Sequence, residues 1–208
     1  MKSLGIVHIT HIQGSGSHLM NLKNVFMDRM KSEIRLREFD IDKDLHLFHI
    51  VHSDSLSMQF YGMSAFKELE ESRKLMNNYV VSELNKKSMH RVICSADTNE
   101  YLGEIGLFNI NNNHHRANAY CILLPDSRKK GISIYASSLF YKEAFAKINL
   151  NRVQAFVDSR NINAAKSLIG IGFNYEGELS EYEYFDGQYI NIKVFALTKK
   201  RFLELYGE

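Results

Sequence analysis

The chain has 208 residues, of which 45% are apolar, and 26 basic side chains against 24 acidic ones give a formal charge of +2. This length and composition suit a single soluble domain with one sizeable core. The near-neutral charge gives no reason to expect binding to nucleic acid, and no run approaches the roughly 18 apolar residues of a membrane span. We therefore expect neither a nucleic-acid partner nor a membrane.

The first 30 residues lack a regular apolar pattern. The apolar run at Ile6–Ile9 is short and contains His8, which is unlike a signal peptide, and Gly14–His18 resembles a linker. We predict an N-terminal extension over residues 1–30, partly disordered, and one domain over residues 31–208.

The first half of the domain predicts a strand, two helices and then three strands. Residues 34–39 alternate apolar and polar side chains, as a half-buried strand does, and Asp40 and Asp42 can cap the helix that follows. A short polar turn at 97–100 joins two strands into a hairpin. The predicted ranges, in order, are 34–39, 45–51, 64–84, 91–96, 101–108 and 117–124.

The second half predicts a helix, a strand, a helix and a hairpin. Apolar residues at i, i+3, i+4, i+7 and i+8 from Ile132 form one face of a helix. Asp186-Gly187 is a strong hairpin signal between two strand-like runs. The predicted ranges are 132–147, 152–157, 161–169, 178–184 and 189–197.

A basic turn joins the strand at 117–124 to the helix at 132–147. It contains three successive cations, Arg128, Lys129 and Lys130, and then Gly131. Free N–H groups at a helix N-terminus bind phosphate, and a glycine lets the backbone approach such a ligand closely. Taken alone, a run of like charge is equally consistent with a solvated loop.

The residues around this turn resemble a known family. Arg128 to Ser133 fits the pattern [R/Q]-x-x-G-x-[G/A] of the GNAT superfamily of acyl-CoA-dependent N-acetyltransferases, with serine at the last position. Asp158 to Ala164, followed by Gly172-Phe173 and Glu176-Gly177, resembles the N-x-x-[S/A] helix and G-F-x-x-E-G segment of its RimJ/RimL-type branch.

The resemblance implies an α/β (α+β) fold, with a mixed central sheet flanked by helices and splayed between its fourth and fifth strands. Acetyl-CoA would be the co-substrate, with its pantetheine arm in that gap and its pyrophosphate on the basic turn. The cofactor-binding residues implied are Ile122, Leu123, Leu124, Arg128, Lys129, Lys130, Gly131, Ile132, Ser133, Asn161 and Ala164.

The resemblance also implies direct transfer of the acetyl group from the thioester to an amine. A backbone N–H at Leu123 or Leu124 would stabilise the oxyanion, and such a donor is worth a factor of ~10² or more in rate. No metal ion is expected, because the histidines at 46, 49 and 52 and the acidic run at 40–44 lack a complete ligand pattern.

The residues that transfer protons are less regular than the cofactor turn. Where family members carry a tyrosine, a serine or an acidic strand residue, this chain has Leu168, Ala164 and Asn118. We predict Glu104 as a base acting through water, Glu178 as the second candidate, and Tyr120 as a proton donor. The alternative is that both glutamates face solvent and Tyr120 belongs to the core.

The acceptor is predicted to be the α-amine of a protein or peptide N-terminus. The alternatives are a small amine, namely an amino-sugar nucleotide, a polyamine or an aminoglycoside, or a non-catalytic acyl-CoA-binding module. Residues 60–64 and 182–189 should line the entrance. We expect a monomer or homodimer in the cytoplasm, where Cys94 and Cys121 stay reduced and pack as small apolar residues.

Overall fold

The computed structural model describes residue 25 and residues 27–207. Most of the predicted extension lies outside these residues. Residues 27–33 are helical, and Met30 is fully buried. The elements that follow are β1 (Ile34–Arg37), α1 (Ile41–Ser53), α2 (Ser55–Met58), α3 (Leu69–Leu84), β2 (Met89–Ser95), β3 (Tyr101–Asn111), β4 (Arg116–Leu123), α4 (Ile132–Lys147), β5 (Arg152–Asp158), α5 (Ile162–Ile171), β6 (Asn174–Phe185), β7 (Gln188–Thr198) and α6 (Lys199–Tyr206).

The strands form one seven-stranded mixed sheet in the order β1-β2-β3-β4-β5-β7-β6. All neighbouring pairs are antiparallel except β4 and β5, which are parallel. These two strands pair only where residues 116–118 face residues 152–154. Beyond that point they separate, so the predicted α/β fold with a sheet splayed between its fourth and fifth strands is confirmed.

Helices cover both faces of the sheet and divide the core in two. The larger cluster lies between the sheet and α4, and includes Tyr135, Phe140 and Phe145 from that helix. The smaller cluster lies under α1 and α3, with Phe48 and Met76 at its centre. The face under α1 and α3 also carries the polar side chains described below.

Several boundaries differ from the sequence prediction. The helix predicted over 64–84 begins only at Leu69, because Glu68 and Glu71 form a reciprocal capping box there. The four-residue α2, capped by Asp54, and the C-terminal α6, capped by Thr198, were not predicted. The late start of α3 leaves residues 60–66 as an irregular segment beside the gap.

Within the described part of the chain, no helix is both long and apolar enough to span a bilayer. Cys94 and Cys121 are both free thiols. Burial raises the pKa of Cys121 to about 12, so its thiol stays protonated and packs as an apolar group, as predicted.

Candidate active site

The gap between β4 and β5 is bordered by backbone groups of β4. The Leu124 N–H donates to the Leu102 carbonyl of β3 at 2.9 Å, so Leu124 faces away from the gap. Since successive residues of a strand direct their backbone groups to opposite sides, Ile122 also faces β3, whereas Leu123 and Cys121 face the gap. The backbone groups of Leu123, one of the two proposed oxyanion donors, are therefore directed into the gap, whereas those of Ile122 and Leu124 are not. The cofactor contacts predicted for these three residues stay predictions.

The basic turn ends in the N-terminus of α4. Gly131 is the N-cap residue with φ +80°, a left-handed conformation that glycine adopts without strain. The first N–H groups bonded within the helix are those of Ile134 and Tyr135, which leaves the N–H groups of Ile132 and Ser133 for a ligand. The exposed Lys129 and Lys130 lie beside them in the chain, and binding of an anion at this turn stays a prediction.

Arg128 points toward the protein rather than outward from this turn. Its guanidinium donates to the Leu123 carbonyl at 3.0 and 3.1 Å and to Ser57 Oγ at 2.5 Å, and it lies 3.8 Å from the Asp54 carboxylate. Arg128 therefore bridges β4 and α2, and its part in binding the cofactor stays a prediction.

Asn161 and Ala164 lie at the start of α5, on the far side of the gap. The Asn161 side chain accepts a hydrogen bond from the Ala164 N–H at 3.0 Å and caps the helix. Its amide nitrogen is not used in this bond. The role of both residues in binding the cofactor stays a prediction.

Glu104 is fully buried on β3, under α1 and α3. It accepts a hydrogen bond from the Tyr101 hydroxyl at 3.3 Å, and its Oε1 lies 3.5 Å from His52 Nε2. Burial raises the pKa of Glu104 well above its usual range and lowers that of His52 to about 4. Burial thus disfavours the charged forms of both groups, and the role of Glu104 as a base stays a prediction.

Tyr120 lies on β4 with its hydroxyl directed toward β2, two strands away from the gap. Its hydroxyl is 2.9 Å from His90 Nδ1, and burial lowers the pKa of His90 to about 4. This hydrogen bond joins the hydroxyl to a neutral imidazole, and the tautomer of His90 decides which of the two groups donates. Tyr120 thus belongs to a buried polar cluster with Tyr79, whose ring stacks on His90 at 4.0 Å.

A cavity of about 460 Å³ opens on this face of the sheet where β4 and β5 begin to separate. Its walls combine aromatic rings, four side-chain amides and two oppositely charged side chains. Gln154 Nε2 donates to Asn118 Oδ1 at 2.9 Å across the end of the gap. The lining residues are Phe108, Asn109, Asn111, Arg116, Asn118, Gln154, Phe156, Tyr182 and Glu183.

A bulge in β6 directs two of these side chains into the cavity. The register with β7 shifts between Leu179 and Glu183, so the chain bends in this interval. The Tyr182 ring stacks on Phe156 at 6.4 Å, and a Cβ added to Gly62 would lie 3.3 Å from Glu183 Oε2. The two segments predicted at the entrance, 60–64 and 182–189, therefore meet there.

Sequence reasoning missed Glu183 and selected Glu178, which is exposed and accepts a hydrogen bond from Asn191 at 2.8 Å. Both glutamates lie in the same acidic, aromatic run, and only the bulge distinguishes them. Among the described residues, no group of three histidine, cysteine, aspartate or glutamate side chains could hold a metal ion.

Comparison with known sequences identifies the class of domain. The profile of the acetyltransferase (GNAT) domain family matches residues 33–174. The uncharacterized N-acetyltransferase YoaA of Bacillus subtilis (strain 168) is 24% identical over 160 residues, which is 77% of this chain and 90% of that protein. Spermidine N(1)-acetyltransferase of Escherichia coli (strain K12) is 26% identical over 170 residues, which is 82% of this chain and 88% of that protein.

Two solved structures have the same fold. Spermidine N-acetyltransferase from Vibrio cholerae, in complex with CoA and spermine, superposes with a TM-score of 0.74 at 22% identity, over 83% of this chain and 99% of that one. RimL, a ribosomal L7/L12 alpha-N-protein acetyltransferase in complex with coenzyme A, superposes with a TM-score of 0.72 at 17% identity, over 80% of this chain and 94% of that one. At these identities the similarity establishes the fold.

Proposed function

Since the chain belongs to the acetyltransferase (GNAT) domain family, we propose that it transfers the acetyl group of acetyl-CoA to a primary amine of a polyamine. The general activity, acetyl-CoA-dependent N-acetylation, is that of the family. The choice of a polyamine rests on the acceptor cavity and on the spermidine N(1)-acetyltransferases among the relatives.

Acetyl-CoA enters the gap from the α4 end. Its pyrophosphate binds the N–H groups of Ile132 and Ser133, and its pantetheine carbonyls accept hydrogen bonds from the backbone N–H groups of Leu123 and Cys121. The gap ends at Asn118, where β4 meets β5. The thioester therefore lies near Cys121, at the border of the cavity.

The cavity suits a flexible cationic amine. The Phe108, Phe156 and Tyr182 rings can pack against methylene groups and attract an ammonium through their π faces, and the Glu183 carboxylate adds a negative charge. Glu183 is also placed to take a proton from the bound ammonium through water, since only a neutral amine attacks a thioester. This combination of aromatic walls and one carboxylate is the observation that carries the proposal.

Arg116 is the one cation among the cavity-lining residues described, and it bears on the length of the acceptor. It lies five residues before Cys121, or about 17 Å along β4. A second ammonium group of the acceptor that reaches this end of the cavity would be repelled by the Arg116 guanidinium.

The peptide N-terminus predicted from the RimJ/RimL-like motifs is less well supported than the polyamine alternative, and the assignment to that branch stays a prediction.

The proposal is tested by the release of CoA thiol from acetyl-CoA with spermidine, spermine, N-terminal peptides and amino sugars as acceptors. We expect turnover with spermidine or spermine. Glu183→Gln should raise the KM for spermidine about 5- to 10-fold, because a charge-assisted hydrogen bond is lost, and should also lower kcat, because the proton acceptor is lost. Arg116→Gln is the matched variant, since it removes a positive charge from the same cavity. It should lower the KM for spermidine.

Turnover confined to peptides or sugars would overturn the polyamine proposal. Binding of acetyl-CoA in calorimetry without turnover of any amine would instead favour the non-catalytic module.

A further inference from the structure

The leaving thiolate of CoA needs a proton donor that faces the gap. Tyr120 is the donor predicted from sequence. Its hydroxyl lies 2.9 Å from His90 Nδ1 of β2 and is directed away from the gap. Leu168 and Ala164, at positions where family members carry a hydroxyl, have none. A donor must therefore come from another element.

Tyr61 supplies a hydroxyl at the required place. Its OH donates to the Cys121 carbonyl at 2.6 Å, across 60 residues of sequence. This carbonyl belongs to the edge of β4 that faces the gap, since Leu124 and Ile122 face β3. The side chain is 38% exposed, so the hydroxyl reaches the backbone of β4 while part of the ring stays accessible to water.

The segment that carries Tyr61 is held from both sides. The Tyr61 N–H bonds to the Met58 carbonyl at the end of α2, and Ser57 of the same helix is bonded by Arg128 from the cofactor turn. On the other side, the adjacent Gly62 lies against Glu183 of the acceptor cavity. Tyr61 thus stands between the proposed sites of acetyl-CoA and amine.

We propose that Tyr61 is the catalytic acid of the acetyl transfer, an inference that rests on the proposed function. The amine nitrogen forms the new C–N bond to the thioester carbon, and the C–S bond breaks with its electron pair on sulfur. The Tyr61 hydroxyl shifts from the Cys121 carbonyl to this sulfur and gives it the proton, producing free CoA thiol. The amine nitrogen loses one proton to water, and the tyrosinate regains one from water.

The test compares Tyr61→Phe with the wild type in the thiol-release assay, using whichever amine the wild type acetylates. General acids contribute roughly 10²–10⁴ in rate, so we expect kcat to fall about 10²-fold. The Kd for acetyl-CoA, measured by calorimetry, should stay within about twofold because the acid acts after binding. Tyr175→Phe, which removes a hydroxyl from an exposed tyrosine on β6, is the matched control and should keep the wild-type kcat.

A donor with a better leaving group separates acid catalysis from a structural role. Acetyl-seleno-CoA releases a selenolate, which is a much weaker base than a thiolate and needs no acid, so the defect of Tyr61→Phe should largely disappear with it. The proposal is overturned if Tyr61→Phe keeps its kcat, if it loses acetyl-CoA binding, or if its defect is equal for both donors. A wild type inactive with every amine would refute the proposed function instead.

Discussion

At the scale of single residues, Gly103 determines where β4 lies. It sits on β3 opposite Leu123, with φ +157°, and a Cβ at this position would be 2.3 Å from the Ile122 carbonyl oxygen and 2.8 Å from the Leu123 Cα. Real side chains do not approach backbone atoms this closely. The close approach of β3 therefore fixes the position of β4, and the other edge of β4 faces the gap.

We expect Gly103→Ala to lower the free energy of unfolding by about 2–3 kcal/mol and to weaken acetyl-CoA binding, because β4 must move away from β3. Gly177→Ala is the control, since Gly177 has a similar φ of +152° but no atom within 4 Å of the added Cβ. Urea unfolding and calorimetry measure the two effects. Equal losses of stability in both variants would mean that backbone strain, rather than the contact with β4, is responsible.

At the scale of elements, Arg128 joins the cofactor turn to α2, and α2 leads directly into Tyr61. The exposed Lys130 contributes only charge at the same turn. We therefore expect these two cations to have different tasks: Arg128 binds other parts of the protein, and Lys130 attracts the ligand.

We predict that Arg128→Ala lowers kcat about tenfold, because α2 and Tyr61 lose the anchor that positions them. Lys130→Ala should raise the KM for acetyl-CoA about 2- to 5-fold with kcat unchanged, since an exposed cation contributes roughly 0.3–1 kcal/mol to an anion at a helix N-terminus. The Lys130 effect should shrink as salt is added. Steady-state kinetics at two salt concentrations measure both, and a pure KM effect in Arg128→Ala would contradict the anchoring role.

The elements were predictable wherever the signal is local. The apolar spacing of α4, the Asp40 cap of α1 and the Asp186-Gly187 turn of the last hairpin are each contained in a short window of sequence. Helix α2 was missed because four residues are too few for a period, and the β6 bulge leaves no pattern that distinguishes Glu183 from Glu178. The contact of Tyr61 with Cys121 was out of reach because it depends on how α2 docks on the sheet.

At the scale of the whole molecule, the buried polar groups link stability to pH. The alternation of β3 placed Glu104 on one face of the sheet, but no local pattern could show that two helices cover that face. Burial lowers the pKa of His52 and His90 to about 4, from an ordinary value of 6.5. The unfolded chain therefore takes up these protons first as pH falls, and stability is lost between about pH 6.5 and pH 4. Glu104 acts in the opposite direction, because its raised pKa favours the folded state when pH falls.

We expect His90→Gln to reduce the loss of stability between pH 7 and pH 5 by about 2 kcal/mol, the linkage contribution of one such histidine. Urea unfolding of both proteins at the two pH values gives this difference directly, whatever the effect of the substitution at pH 7. If the variant and the wild type lose the same amount of stability between pH 7 and pH 5, His90 does not remain neutral in the folded protein.

The narrow seam between β4 and β5 is a place where a bound ligand would add to the stability of the fold. The two sides of the sheet are joined there by three residue pairs, and the proposed pantetheine arm would supply backbone hydrogen bonds that the strands lack beyond them. A ligand that binds only the folded state adds about 2.7 kcal/mol to stability at a hundredfold excess over its Kd. We therefore expect acetyl-CoA at a hundredfold excess over its Kd to protect the chain from proteases, by holding the two sides of the seam together.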